Sequence, residues 1–253
     1  MLKALIAGKI NRCVRLEDSL TSDVFGVADY IANPELLARF FERARASDGK
    51  SIQEDVLKHC TEFEVHMWPK FSDGTEPDVL VVGLVGLEVR VAILVECKYH
   101  STAWESEEDP AKESDLQEKY RSQLIAYGKN FANSSFEDKN IMKLIRNARH
   151  RLLVYLTADY SLPREGAFPT SAQQLEAINV PAYWLSWRDL SYVLREKDSI
   201  GLDDKGKKRM IQDLLVGVED RRNLRRFRHL VSGLPARGRF LQPSALRCYA
   251  RRH

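Results

Sequence analysis

The sequence predicts an α/β fold, a mixed central sheet flanked by helices, and three observations carry that prediction. Apolar runs of strand length recur: TEFEVHMW at 61–68, two runs within EPDVLVVGLVGLEVRVAILVECKY at 76–99, RLLVYLTAD at 151–159 and AYWLSW at 182–187. Segments with apolar residues at helical spacing lie before, between and after them, so strands and helices are mixed along the chain. The chain has 253 residues, 44% of them hydrophobic, with no internal repeat or low-complexity linker, and can therefore bury one large core. We expect a main domain over 1–198 and a basic helical extension over 199–253.

Residues 1–16 read as a lead-in of one short strand or helix. In LEDSLTSDVFGVADYIA, Leu20, Val24, Val27 and Ile31 recur at helical spacing behind acidic residues that suit a helix N-terminus. Asn33-Pro34 breaks this helix, and ELLARFFERARA forms a second. Ser51 to His59 adds a further helical turn or two. TEFEVHMW alternates as a half-exposed strand, and PKFSDGTEP is a turn-rich connection to the apolar pair of strands. A polar, acidic loop, HSTAWESEEDPAKES, leads to a helix from Asp115 to about Phe131, with Leu116, Tyr120, Gln123 and Tyr127 on one stripe. FEDKNIMKLIRNARH, SAQQLEAIN, WRDLSYVLRE and KKRMIQDLLVGVE read as helices around the last two strands.

Composition excludes several classes. No stretch approaches the ~20 uninterrupted apolar residues of a membrane span, and MLKALIAGKINR has no small-residue cleavage site of a signal peptide. Cys13, Cys60, Cys97 and Cys248 form no CxxC pair, which excludes the familiar zinc-finger spacings and fits a reducing cytoplasm. The net charge of +3 is unevenly spread: from Gly201 onward fourteen Lys and Arg face five Asp and Glu, an excess of nine. An acidic body with a basic tail is the asymmetry expected when one part handles a polyanion.

The hairpin carries the chemistry. If its strands pair antiparallel about a turn near Leu87, facing residues have numbers summing to about 174, which sets Asp78 opposite Glu96. Alternation puts Glu96 and Lys98 on one face and Cys97 on the other. Interiors admit such charges only when they are paired or hold something. Two neighbouring carboxylates repel unless a cation or a proton intervenes, and a hard ion such as Mg²⁺ or Mn²⁺ suits oxygen ligands. Such an ion activates water and stabilises charge on a phosphate, while Lys98 orients the water or neutralises that charge. The structural alternative is a Lys98–carboxylate pair at a strand end, with Asp78 capping a turn.

Pro77-Asp78 followed, after a hairpin, by Glu96-Cys97-Lys98 resembles the signature of the PD-(D/E)XK nuclease superfamily, and the order of elements resembles its restriction-endonuclease-like core. The resemblance covers roughly residues 15–190. It implies catalytic roles for Asp78, Glu96 and Lys98, with Mg²⁺ or Mn²⁺ held by Asp78 and Glu96. Glu17-Asp18-Ser19-Leu20-Thr21 resembles the E-x-x-L-T pattern of a leading helix whose glutamate completes the metal site, which makes Glu17 the candidate and Asp18 the fallback. Gln123 and Tyr127 match a Gln-x-x-x-Tyr motif of exonuclease-like branches, and four residues apart they share a helix face. Trp68 and Trp104 flank the hairpin, where they could stack bases or pack the core; His66 and His100 find no nucleophile to pair with.

In RRNLRRFRHL, Leu224, Phe227 and Leu230 recur three apart among Arg221, Arg222, Arg225, Arg226 and Arg228, a basic amphipathic helix suited to phosphates. The resulting expectation is a cytoplasmic, magnesium-dependent nuclease acting on nucleic acid, foremost DNA, in restriction, repair or antiviral defence. A homodimer or a helicase or ATPase partner is compatible with it; no membrane is involved. The alternative is a catalytically silent nucleic-acid-binding or scaffold subunit of a larger defence or repair complex.

Overall fold

The computed structural model describes residues 17–98, 110–196, 202, 204–221 and 224. Five strands form a single sheet in the order β1 (Glu62–Met67), β2 (Val79–Val85), β3 (Glu88–Cys97), β4 (His150–Thr157) and β5 (Ala182–Ser186). The first three strands pair antiparallel and the last two join in parallel, so the sheet is mixed. Connection length explains the change. Residues 86–87 turn β2 directly into β3, whereas β3 returns to β4 through α4 (Pro110–Ala132) and α5 (Lys139–Asn147), the long crossover a parallel neighbour requires.

Side-chain alternation along β2 and β3 feeds two apolar layers. On one face Val79, Val81, Val91, Ile93, Val95 and Cys97 pack against α1 (Glu17–Ile31), α2 (Pro34–Phe41) and α7 (Trp187–Arg195). On the other, Leu80, Val82, Ala92 and Leu94 meet Leu124, Tyr127 and Phe131 of α4 and Leu175 of α6 (Ala167–Glu176). Both central strands are thus covered twice, which is why they read as nearly continuous apolar runs instead of alternating ones. The short α3 (Glu54–Leu57) completes the first layer with Val56 and Leu57.

Local signals explain where elements begin and end. Asn33 caps α2 by accepting from the backbone N–H groups of Glu35 and Leu36, and Pro34 sits in the first turn, where its missing N–H costs nothing. The second helix ends at Phe41, before the expected Ala46, because Arg45 exchanges backbone hydrogen bonds with Trp184 of the sheet. The helix expected from Asp115 begins at Pro110, inside the expected acidic loop; this proline again occupies a first turn. Ser186 ends β5 and caps α7 through the N–H of Arg188. The last helix, α8 (Lys205–Val216), continues into a π-helical turn over Gly217–Arg221. Glu219 of that turn is buried and accepts from Ser191 Oγ and Arg195 Nε, both at 2.6 Å. Leu202, Ile211, Leu214, Val218 and Leu224 belong to the same core as the sheet. Among the described residues no helix is long and apolar enough to cross a membrane.

Gly128 of α4 packs directly on α6: a Cβ there would stand 2.0 Å from Leu175 Cδ2, and Leu175 is fully buried. Gly128→Val should therefore destabilise the protein by about 1–3 kcal/mol through overpacking. A denaturant titration checks this; unchanged stability would mean that the two helices separate freely.

Candidate active site

The expected hairpin register is observed. Val79 pairs with Val95, Leu80 with Leu94 and Gly83 with Val91, so facing numbers sum to 174 until an irregularity at Gly83/Leu84 shortens the sum by one. One step beyond Val79–Val95, Asp78 and Glu96 come opposite each other at the end of the sheet. Neighbouring pairings extend the rank. Trp68 N donates to Asp78 O at 2.9 Å, Glu96 is level with Tyr155, and Tyr155 with Trp184. One residue from each strand or its immediate end thus forms a single row: Trp68, Asp78, Glu96, Tyr155 and Trp184.

The carboxylate of Asp78 is fixed by the backbone of the facing strand, since Oδ2 accepts from Cys97 N at 2.6 Å. Glu96 is 3% exposed and Lys98 13%, and Lys98 Nζ donates to Glu96 Oε1 at 2.6 Å and to Cys97 O at 2.8 Å. Lys98 N also donates to Leu156 O, carrying the parallel ladder one residue past β3 and holding the lysine at the rim. The Cys97 side chain is buried in the opposite layer, as alternation requires, and only its backbone faces the site.

α4 closes the site from above. Gln123 Nε2 donates to Tyr127 Oη at 2.9 Å, and Tyr127 Oη donates to Glu76 O at 3.0 Å. The expected one-face pairing of Gln123 and Tyr127 therefore exists, and it clamps the segment that delivers Pro77-Asp78. That segment is also tied down by Asn130 Nδ2 to Asp73 at 2.7 Å and by Phe71 packed on Phe136, with ring centroids 4.4 Å apart. Burial pushes the Tyr127 phenol above its ordinary pKa; Glu96 and Asp78 add to that rise against the lowering by Gln123, so the hydroxyl stays a neutral donor. Tyr155, deeper in the row, is likewise raised by burial. A cleft of about 430 Å³ opens here, lined by Thr75, Lys98, Lys119, Tyr120, Gln123 and Tyr127 among others.

Lys98 and Gln123 thus line the cleft, and Asp78 and Glu96 lie at the same sheet end, Glu96 in contact with the Lys98 ammonium and Asp78 held by the Cys97 N–H. Glu17 begins α1, but its side chain lies outside the described residues, as do the side chain of Arg221 and all of Arg222, Arg225, Arg226, Arg228, His100 and Trp104. Asp18 is exposed. His66 is half-buried on β1, its Nε2 3.5 Å from Glu64. Sequence reasoning gave Tyr120 to the core stripe; it stands beside the site, with Lys98 Nζ 5.6 Å from its ring centroid. Its spacing of three from Gln123 was the available signal. Tyr155 and Lys119 had none, because their nearness to Glu96 and Lys98 depends on a parallel pairing and a helix docking made across the chain.

The donor set suits a hard divalent cation. Glu96 Oε1 and the Cys97 carbonyl already converge on one positive group, the Lys98 ammonium, and the Asp78 carboxylate is held on the adjacent strand. Among the described residues no group of three His, Cys, Asp or Glu side chains is assembled for a metal. Searches of protein-family models, curated proteins and solved structures find no match to the chain.

Proposed function

We propose that this protein is a metal-dependent nuclease of the PD-(D/E)XK kind with a restriction-endonuclease-like core, hydrolysing phosphodiester bonds of nucleic acid, foremost DNA. The observation that carries the reading is the convergence of Asp78, Glu96 and Lys98 at one sheet end under Gln123. Asp78 and Glu96, with Glu17, would hold Mg²⁺ or Mn²⁺. When bound, the ion supplies a water of lowered pKa and a positive centre against the phosphate. Lys98 offers its ammonium to the oxygen where charge accumulates, or orients the water that attacks phosphorus as the ester P–O bond breaks. Gln123 positions that water or a phosphate oxygen from the helix side. The Asp78–Cys97 N hydrogen bond and the Tyr127 clamp fix these groups before substrate arrives, so little reorganisation is left for the reaction. The basic tail supplies phosphate contacts that hold a strand without reading its bases.

One observation favours the second reading, a catalytically silent nucleic-acid-binding subunit of a defence or repair complex: Lys98 and Glu96 already satisfy each other as a buried pair. Cleavage of plasmid, linear duplex, single-stranded DNA and RNA with Mg²⁺ or Mn²⁺ separates the two. The nuclease reading expects metal-dependent products that disappear with EDTA and in Glu96→Ala and Lys98→Ala. Binding without cleavage on every substrate would favour the silent subunit, and products surviving both substitutions would place the chemistry elsewhere.

A further inference from the structure

The sheet end that carries this row has an exposed aromatic residue on each flank of the acidic pair, Trp68 in the row itself and Tyr160 beyond the end of β4. We infer that a single nucleic-acid strand crosses this end of the sheet, with Trp68 and Tyr160 stacking its bases on either side of Asp78, Glu96 and Lys98. The identity of the ligand rests on the nuclease reading; the placement of the aromatics does not.

Strand directions bring the two flanks to the same edge. β1, β3, β4 and β5 finish there and β2 starts there, so Trp68, Asp78, Lys98, Tyr160 and Arg188 all follow or precede their strands at one end. Trp68 follows the last residue of β1 with a φ of 49°, the left-handed region that glycine occupies without cost and a bulky residue rarely adopts. The turn thus keeps an indole where glycine would serve the backbone better, and the residue is 38% exposed. Backbone strain of this kind clusters at functional sites, and of the residues that carry it among those described Trp68 is the one beside the acidic pair. Its peptide N–H is bonded to the carbonyl of Asp78, which ties its position to that of the acid.

On the far flank Tyr160 is 58% exposed, and its ring is held by the Arg188 guanidinium 3.6 Å from the centroid. Arg188 is itself fixed by donating Nε to Ala158 O at 2.9 Å. A rigid aromatic with a cation against it offers both a stacking surface and a charge for the adjoining phosphate. From β1 to β4 is three strand spacings, about 14 Å, or the rise of about four stacked nucleotides. A duplex presents no unstacked bases to such side chains, so the fit is to a single strand.

The test is fluorescence anisotropy with a labelled oligothymidylate in EDTA, where no cleavage occurs, beside thermal melting of each variant. Trp68→Gly should weaken binding about tenfold, the scale of one lost base stack, while Tm stays level or rises because the left-handed turn is relieved. Tyr160→Ala should weaken it similarly with Tm read alongside, and Trp68→Phe should stay within about threefold of wild type. A blunt duplex should bind the variants as it binds wild type. Wild-type affinity of Trp68→Gly and Tyr160→Ala for the oligomer would overturn the inference, and so would equal losses on duplex. Because nothing turns over, a protein that cleaves no substrate could still show the stacking, and a true nuclease could fail to show it.

Discussion

Lys98→Met should abolish metal-dependent cleavage and, without metal, cost the fold about 3 kcal/mol. The substitution keeps the length of the side chain but removes the charge that Glu96 Oε1 and Cys97 O share. What remains is a buried carboxylate facing a second one across the hairpin, without the ammonium that Lys98 supplies in wild type. Added Mn²⁺ should therefore raise the Tm of this variant more than that of wild type; an ion at about a hundred times its Kd contributes about 2.7 kcal/mol. The rate should stay at least about a hundredfold down even in saturating metal, since losing a charge-stabilising group costs on that scale. Glu96→Gln should be milder on stability, because it removes the repulsion from Asp78 along with the pairing to Lys98. The double variant Glu96→Gln/Lys98→Met then discriminates between roles. A structural pair predicts that stability and any activity return together. A catalytic pair predicts that stability returns to within about 1 kcal/mol of wild type while cleavage stays absent. Measurable cleavage in the double variant would sink the proposed site.

Trp187→Ala should cost about 3–5 kcal/mol, roughly a fifth or more of the about 5–15 kcal/mol stability of an ordinary domain. Trp187 is fully buried at the start of α7, and Phe25 of α1 meets it edge-on with centroids 6.3 Å apart. The indole fills the layer where helices from opposite ends of the sequence meet the sheet, so truncation leaves a cavity that neighbours on three elements must collapse to fill. Its Nε1 is buried with no hydrogen-bond partner among the described residues. Trp187→Phe removes that orphaned donor and should cost less than about 1.5 kcal/mol. Urea titration of both variants decides. A cost below about 1 kcal/mol for the alanine would show that the layer repacks easily and that the indole is not its keystone.

The hairpin register was legible because strands have a strict period of two, and a turn at 86–87 leaves one alignment that buries Val79, Val81, Ile93 and Val95 together. The same arithmetic placed Asp78 opposite Glu96 and turned Cys97 away. Helix faces were legible where periodicity was strong, as at Gln123 and Tyr127. Helix starts were less so: the acidic run before Pro110 reads as a loop, and the proline's preference for a first turn was the overlooked signal. The partner of Glu96 on β4 could not be read, because nothing local in RLLVYLTAD records which strand lies beside it or in what register. Nor could the left-handed backbone of Trp68, since tryptophan carries no preference for that region and only the surrounding loop imposes it. The site was therefore visible as a pair of carboxylates and a lysine, and invisible as a row five residues wide.

The late helix α8 bears on where this chain can be cut. Lys207 Nζ donates to Ile31 O at 2.6 Å, placing a cation on the terminal carbonyls of α1, and Ile211 and Leu214 lie in the layer that contains Leu20 and Val24. The Glu219 carboxylate, bound by Ser191 and Arg195, fastens the following turn to α7. A truncation at residue 199, intended only to strip basic charge, would also unroof the leading helix and take the Glu219 carboxylate away from Ser191 and Arg195. Shortening the chain just past Leu224 removes Arg225, Arg226, Arg228 and every later arginine while leaving this stitching intact. That cut separates what the tail's charge does for nucleic acid from what its helix does for the fold.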